Sequence, residues 1–280
     1  MLTEMNYLDV YLLCQTANNL LRGGFERLID DFFATQFTED QNITAFSKES
    51  YLHRYCEWVV DQMCWDDMEN SADLMRKSAK ISKGENWEGT LWVDRLINQY
   101  QTDEDEKADI FLFYGEKLQG IERLADEEIN DYAYNYLSEL TLSGRYEDCA
   151  KKLAREMFYV LFQNRDFLLV FNNTLASYRW MALSDNNETD KRTNIPHWAK
   201  RAVWFRDRGC CVFCGKDLSG LANNLGDRAV HYDHMVSLAD CGVNDVANLQ
   251  LTCRDCNLSK LKRSETSNMY YNWYDMTESD

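Results

Sequence analysis

The chain has 280 residues, 45% of them hydrophobic and 13% aromatic, with one proline and twelve glycines; that is enough apolar material for packed cores and argues against wholesale disorder. A net charge of −17, taken as one number, argues against a nucleic-acid binder, but the charge is uneven: residues 1–190 carry 18 Lys/Arg against 36 Asp/Glu, and residues 191–263 carry 12 against 7. No basic leader opens the sequence and its longest apolar runs, "FYVLF" and "FLLVF", are too short to cross a bilayer, so a soluble, cytoplasmic protein without membrane contact is expected.

From about residue 5 to 183 the spacing predicts helices. Phe25, Leu28, Ile29, Phe32 and Phe33 fall at i, i+3, i+4, i+7 and i+8, one face of a helix. The same stripe runs through Ile121, Leu124, Ala125, Ile129, Tyr132, Tyr136 and Leu140, and again through Leu153, Met157, Val160 and Leu161. These faces read as core, and Cys14, Cys56, Cys64 and Cys149 among them read as small buried apolar residues. The run "TDEDEKAD" at 102–109 reads as a solvated helix start or loop. His53 and His197 sit in helical context and carry no assigned chemistry. "SDNNETDKRTN", 184–194, is polar and aperiodic, the mark of a linker or exposed loop. Pro196 then suits the first turn of a helix that Gly209 would end. Beyond it glycines become frequent and short strand-like pieces such as "RAVHY" appear.

Two CxxC pairs follow, Cys211-Val-Phe-Cys214 and Cys253-Arg-Asp-Cys256. In a reducing compartment such pairs point to metal. Each presents two thiolates from one knuckle, and together they complete a tetrahedral Zn2+ site with no open position, hence a structural one. A module this small has a thin core that a metal staple can support. Cys210 and Cys241 fall outside the spacing. Structural zinc leaves Asp233, His234, Asn248 and Asn257 unexplained. A carboxylate and an amide oxygen are hard ligands suited to Mg2+ or Mn2+, and a neutral histidine beside them can take a proton from water.

With these residues the segment 195–263 resembles the HNH endonuclease family and its ββα-metal fold, in the branch with four zinc cysteines. The matching positions are Cys211, Cys214, Asp233-His234, Asn248-Leu249-Gln250, Cys253, Cys256-Asn257 and Lys260, with "AVWFRDRGCCVFCG" similar to the usual lead-in. The resemblance implies His234 as general base and Asp233 with Asn257 as ligands of one catalytic Mg2+ or Mn2+. It implies Asn248 as the brace of the loop that presents His234, with Arg254, Lys260, Lys262 and Arg263 meeting phosphates. It further implies cleavage of phosphodiester bonds, most often in DNA, to 5′-phosphate and 3′-hydroxyl ends. The sequence departs from the family's pattern at Met235, Ser237 and Cys241-Gly242, where Ile, Pro and Gly-Gly are usual; these affect loop stiffness and leave the chemical groups in place. His231 lies at an odd offset from His234 and so on the other face of a strand, which assigns it to packing or phosphate contact.

The expected architecture is α+β: a large all-α domain (1–183), a linker (184–194), a small zinc-stapled HNH domain (195–265) and an acidic, aromatic tail (266–280). The expected activity is that of a metal-dependent endonuclease acting on nucleic acid, and the acidic helices are expected to dock a protein partner or a second copy, as in a restriction or anti-phage effector. The competing reading is a catalytically silent zinc module that binds nucleic acid or protein, and it would predict loss of Asp233, His234 or Asn257.

Overall fold

The periodic stretches form helices in the computed structural model of the protein, which describes residues 7–23, 26–37, 43–81, 91–101, 107–183, 191–219 and 230–267. They are α1 (Tyr7–Arg22), α2 (Glu26–Thr35), α3 (Tyr51–Glu69), α4 (Ser71–Ile81), α5 (Trp92–Tyr100), α6 (Ile110–Tyr114), α7 (Asp126–Leu142), α8 (Arg145–Gln163), α9 (Arg165–Ala182) and α10 (His197–Arg206). Strand β1 (His231–His234) then pairs antiparallel with β2 (Leu249–Thr252), from His231 opposite Thr252 to His234 opposite Leu249, and α11 (Arg254–Lys260) follows. A mostly helical chain therefore ends in a β-β-α element. No helix among the described residues is long and apolar enough to cross a membrane.

The chain divides into two compact units, Met1–Leu13 with Tyr55–Met157, and Cys14–Arg54 with Phe158–Asp280. These units do not follow the change of charge at 184–194, of which residues 184–190 lie outside the described residues, as do 102–106 and 268–280.

In the first unit, Asn130 of α7 accepts hydrogen bonds from Ser71 Oγ and the Ala72 amide at the start of α4. It thereby satisfies the Ala72 N–H, one that the helix itself cannot pair. Asp94 of α5 is buried and accepts from the Tyr136 hydroxyl at 2.7 Å; burial raises its pKa to about 6. Cys14, Cys56, Cys64 and Cys149 are all buried. The expected stripe through Ile121 is shorter as a helix than the spacing suggested. Residues Ile121–Arg123 form a 3-10 turn entered from Gly120 at φ 76°, and α7 starts at Asp126. A 3-10 turn also aligns i and i+3, so the apolar spacing continues across the break.

In the second unit, α2 buries Ile29, Phe32 and Phe33, and the Phe33 ring packs 5.8 Å from Phe171 and 5.4 Å from Tyr178 of α9. Helix α10 begins directly after Pro196 and ends through Arg208 and Gly209, both at positive φ. A side chain at Gly209 would meet the Trp204 ring at 2.8 Å, so the turn requires glycine there. Just beyond α10, Asp207 accepts from the Leu251 amide at 2.8 Å while the Arg206 guanidinium donates to the Leu249 carbonyl. Two neighbouring residues thereby fasten α10 to β2. Arg206 and Arg165 flank the Asp207 carboxylate at 2.9 and 3.4 Å, all three side chains being at most 5% exposed.

Candidate active site

The four cysteines Cys211, Cys214, Cys253 and Cys256 bring their Sγ atoms within 4.8 Å of one another. A tetrahedral Zn2+ with Zn–S near 2.3 Å needs sulfurs about 3.8 Å apart, and Cys214 Sγ lies 3.8 Å from Cys253 Sγ. The donor set fits zinc. The first knuckle turns at Gly215, φ 71°, whose amide donates to the Cys211 carbonyl, and the Val212 amide donates to Leu251 of β2. In the second knuckle Cys253 caps α11, accepting from the Cys256 amide. Cys210 sits outside the cluster, in a bridge with Asp217. Cys241 is buried against Ala176 and Val236.

The pleat of β1 places His231 and Asp233 on one face and Tyr232 and His234 on the other. Asp233 Oδ2 accepts from Gln250 Nε2, directly across the ladder, at 3.0 Å and from Lys260 Nζ at 3.1 Å. Its Oδ1 meets no donor among the described residues, so one oxygen is left for a cation. Asn257, in the middle of α11, lies with its Nδ2 3.2 Å from His231 Nδ1. Asp233 and Asn257 are thus carried by adjoining elements, both tied to the second knuckle through β2 and α11.

His234 ends β1 and is 6% exposed, with its Nε2 buried and without a hydrogen-bond partner. Burial pulls its pKa down to about 4, outweighing the attraction of the neighbouring Asp233 carboxylate. The imidazole is therefore neutral near pH 7. Asn244, whose side chain neighbours the His234 ring, donates through Nδ2 to the Lys191 carbonyl.

Asn248, fully buried, holds the loop after His234: its Oδ1 accepts from the Val236 amide at 2.9 Å, and its Nδ2 donates to Val236 and Val243 carbonyls at 3.0 Å. In the same loop Ser237 stands at φ −60°, an angle proline would share, and its hydroxyl accepts from the Ala239 amide. Cys241 adopts φ 62°, and a Cβ on Gly242 would lie 2.2 Å from the Val236 carbonyl oxygen. The helices clamp this loop from outside. Arg179 donates to the Gly242 carbonyl and Asn172 to the Ala247 carbonyl, while the Phe46 and Tyr51 amides donate to Asn244 O and Asp245 Oδ2.

Residues 211–263 match the HNH endonuclease family model. No curated protein and no solved structure matches the chain. The HNH segment supports a nuclease-type function in general, and such a domain implies a nucleic-acid substrate.

Of the four cations expected at phosphates, Arg254, Lys262 and Arg263 are exposed on or beside α11. Lys260 is not. It is 2% exposed, and its ammonium donates to the His234 carbonyl at 2.8 Å and pairs with Asp233. That corrects the surface reading: Lys260 holds the HNH strand and its carboxylate. Asn244, Asp245, Asn172 and Arg179 were not anticipated, and no local spacing marks them, because each partner lies in another part of the chain or in irregular backbone.

Proposed function

We propose that the HNH segment is a divalent-metal-dependent endonuclease that hydrolyses phosphodiester bonds, in DNA, leaving 5′-phosphate and 3′-hydroxyl ends. The observation that carries this reading is the buried, neutral His234 with its Nε2 unpartnered, next in sequence to a carboxylate that keeps one oxygen free. An inert structural histidine would be expected to satisfy both ring nitrogens. Asp233 and the Oδ1 of Asn257 would hold Mg2+ or Mn2+, whose chemistry when bound is to stabilise charge on the phosphate and the departing oxygen. His234 Nε2 takes the proton of the attacking water. Asn248 keeps the loop after His234 in place, and Lys260 fixes both the strand carbonyl and the Asp233 carboxylate. Arg254, Lys262 and Arg263 attract the backbone phosphates, a contribution that salt weakens. A silent zinc module would have no use for this set of groups.

The acidic residues of 1–183 are read as the part that docks a protein partner or a second copy, with the nuclease as effector in restriction or anti-phage defence; their charge asymmetry with 191–263 supports it. The test is incubation of zinc-loaded protein with supercoiled plasmid, single-stranded DNA and RNA, each with Mg2+, Mn2+ or EDTA, followed by end-group analysis. Metal-dependent nicking of plasmid to ligatable ends is expected. Cleavage that survives EDTA, or that spares DNA and cuts RNA, contradicts the reading.

A further inference from the structure

An asparagine that ligates a cation must do so through Oδ1, because Nδ2 carries two protons and no lone pair for a metal. The two ends of the amide have nearly the same shape, so packing alone chooses poorly between them. A hydrogen-bond partner beside the amide is what decides. In this fold that partner is His231. Its Nδ1 lies 3.2 Å from Asn257 Nδ2, and since Nδ2 can only donate, Nδ1 is the atom placed to accept from it. Among the described residues this is the ring's only hydrogen bond: Nε2 is buried without a partner. The strand pleat sets His231 on the same face as Asp233, two residues on.

We propose that His231 is a positioning residue for the catalytic cation: through Nδ1 it holds Nδ2 of Asn257 and so presents Oδ1 beside Asp233. The inference rests on the reading of Asp233 and Asn257 as the metal ligands, and it assigns His231 a role in metal affinity in place of packing or phosphate contact.

The experiment measures Mn2+ binding to the full-length, zinc-loaded protein, by the signal of free Mn2+ in electron paramagnetic resonance, for wild type, His231→Ala, His231→Gln, His231→Asn and Asp233→Asn. The amide oxygen of asparagine occupies the place of Nδ1 and can accept from Asn257; that of glutamine reaches the place of Nε2 and cannot. His231→Ala and His231→Gln are expected to weaken Mn2+ binding about 10–100-fold, the usual effect of losing such a partner, and His231→Asn to stay within about threefold of wild type. Zinc content and melting temperature separate this from misfolding, since all three His231 variants keep the cysteine site. Wild-type affinity in His231→Ala overturns the proposal, as does a His231→Asn as weak as His231→Ala. If Asp233→Asn binds Mn2+ as wild type does, the ligand assignment itself fails and the role of His231 falls with it. Weakening in Asp233→Asn but not in His231→Ala removes this proposal alone.

Discussion

Asp207→Asn is the sharpest test of how the helical scaffold holds the ββα element. The carboxylate is fully buried; Oδ1 receives Arg206 Nε and Arg165 Nη1, and Oδ2 receives Arg206 Nη2 and the Leu251 amide. The substitution keeps the shape but turns one acceptor oxygen into an N–H2 facing N–H donors, and it takes the neighbouring carboxylate charge from the fully buried Arg206 guanidinium. Breaking one side of such a buried pair costs about 3–5 kcal/mol. For a unit of this size, at about 2–4 °C per kcal/mol, the melting temperature should fall by about 6–20 °C. The assay is urea unfolding followed by tryptophan fluorescence, with midpoint and slope both recorded, beside thermal melting. The control is Asp166→Asn, whose partner Arg22 and own side chain are 40% and 44% exposed; a change below about 1 kcal/mol is expected there. If Asp207→Asn also falls within 1 kcal/mol of wild type at unchanged slope, the buried cluster does not secure β2 as argued.

Three further outcomes are expected. Gly242→Ala, which drives a Cβ to 2.2 Å from the Val236 carbonyl oxygen, should cost about 2–3 kcal/mol and lower cleavage by displacing the loop after His234; retained stability and turnover would place the strain elsewhere. Cys253→Ser should lose the zinc and unfold residues 195–265, because binding and folding of such sites are coupled; one zinc per chain by elemental analysis with unchanged amide-exchange protection in β2 would contradict the four-cysteine site. Asp94, with its pKa raised to about 6, adds stability that is full below its ordinary value near 3.8 and is lost as pH rises through about 6. Wild type should therefore lose about 2 kcal/mol from this group between pH 4 and pH 7. Asp94→Asn, neutral throughout and still able to accept from Tyr136, should not show that loss; parallel pH profiles of urea stability for the two proteins would contradict the assignment.

The site was legible where chemistry is written in short spacings. The CxxC pairs, the Asp233-His234 dipeptide and Asn257 directly after Cys256 fix a zinc knuckle and what it carries within a few residues of chain. Lys260 was misplaced because a charge was read without its helical phase: three residues after Asn257, it turns toward β1 and is buried by Asp233. His231 shows the same kind of gap. The pleat argument that set it apart from His234 also sets it beside Asp233, and only the paired strands and α11 together show that Asn257 meets it there. The apolar stripes of α2, α7 and α8 marked the helical cores, but a 3-10 turn shares their i, i+3 spacing and hid the true start of α7. Asp207, Asp245, Asn172 and Arg179 were invisible for a different reason. A buried polar residue is tolerable only through its partners, and these partners lie 44 (Leu251), 194 (Tyr51), 75 (Ala247) and 63 (Gly242) residues away.

The central claim is that His234 Nε2 is the base of a metal-dependent phosphodiester hydrolysis, and plasmid cleavage by His234→Ala tests it most directly. With zinc content and melting temperature held at wild-type values, the account predicts at least a hundredfold loss of Mg2+-dependent nicking. Nicking at the wild-type rate by the folded, zinc-loaded variant would contradict it.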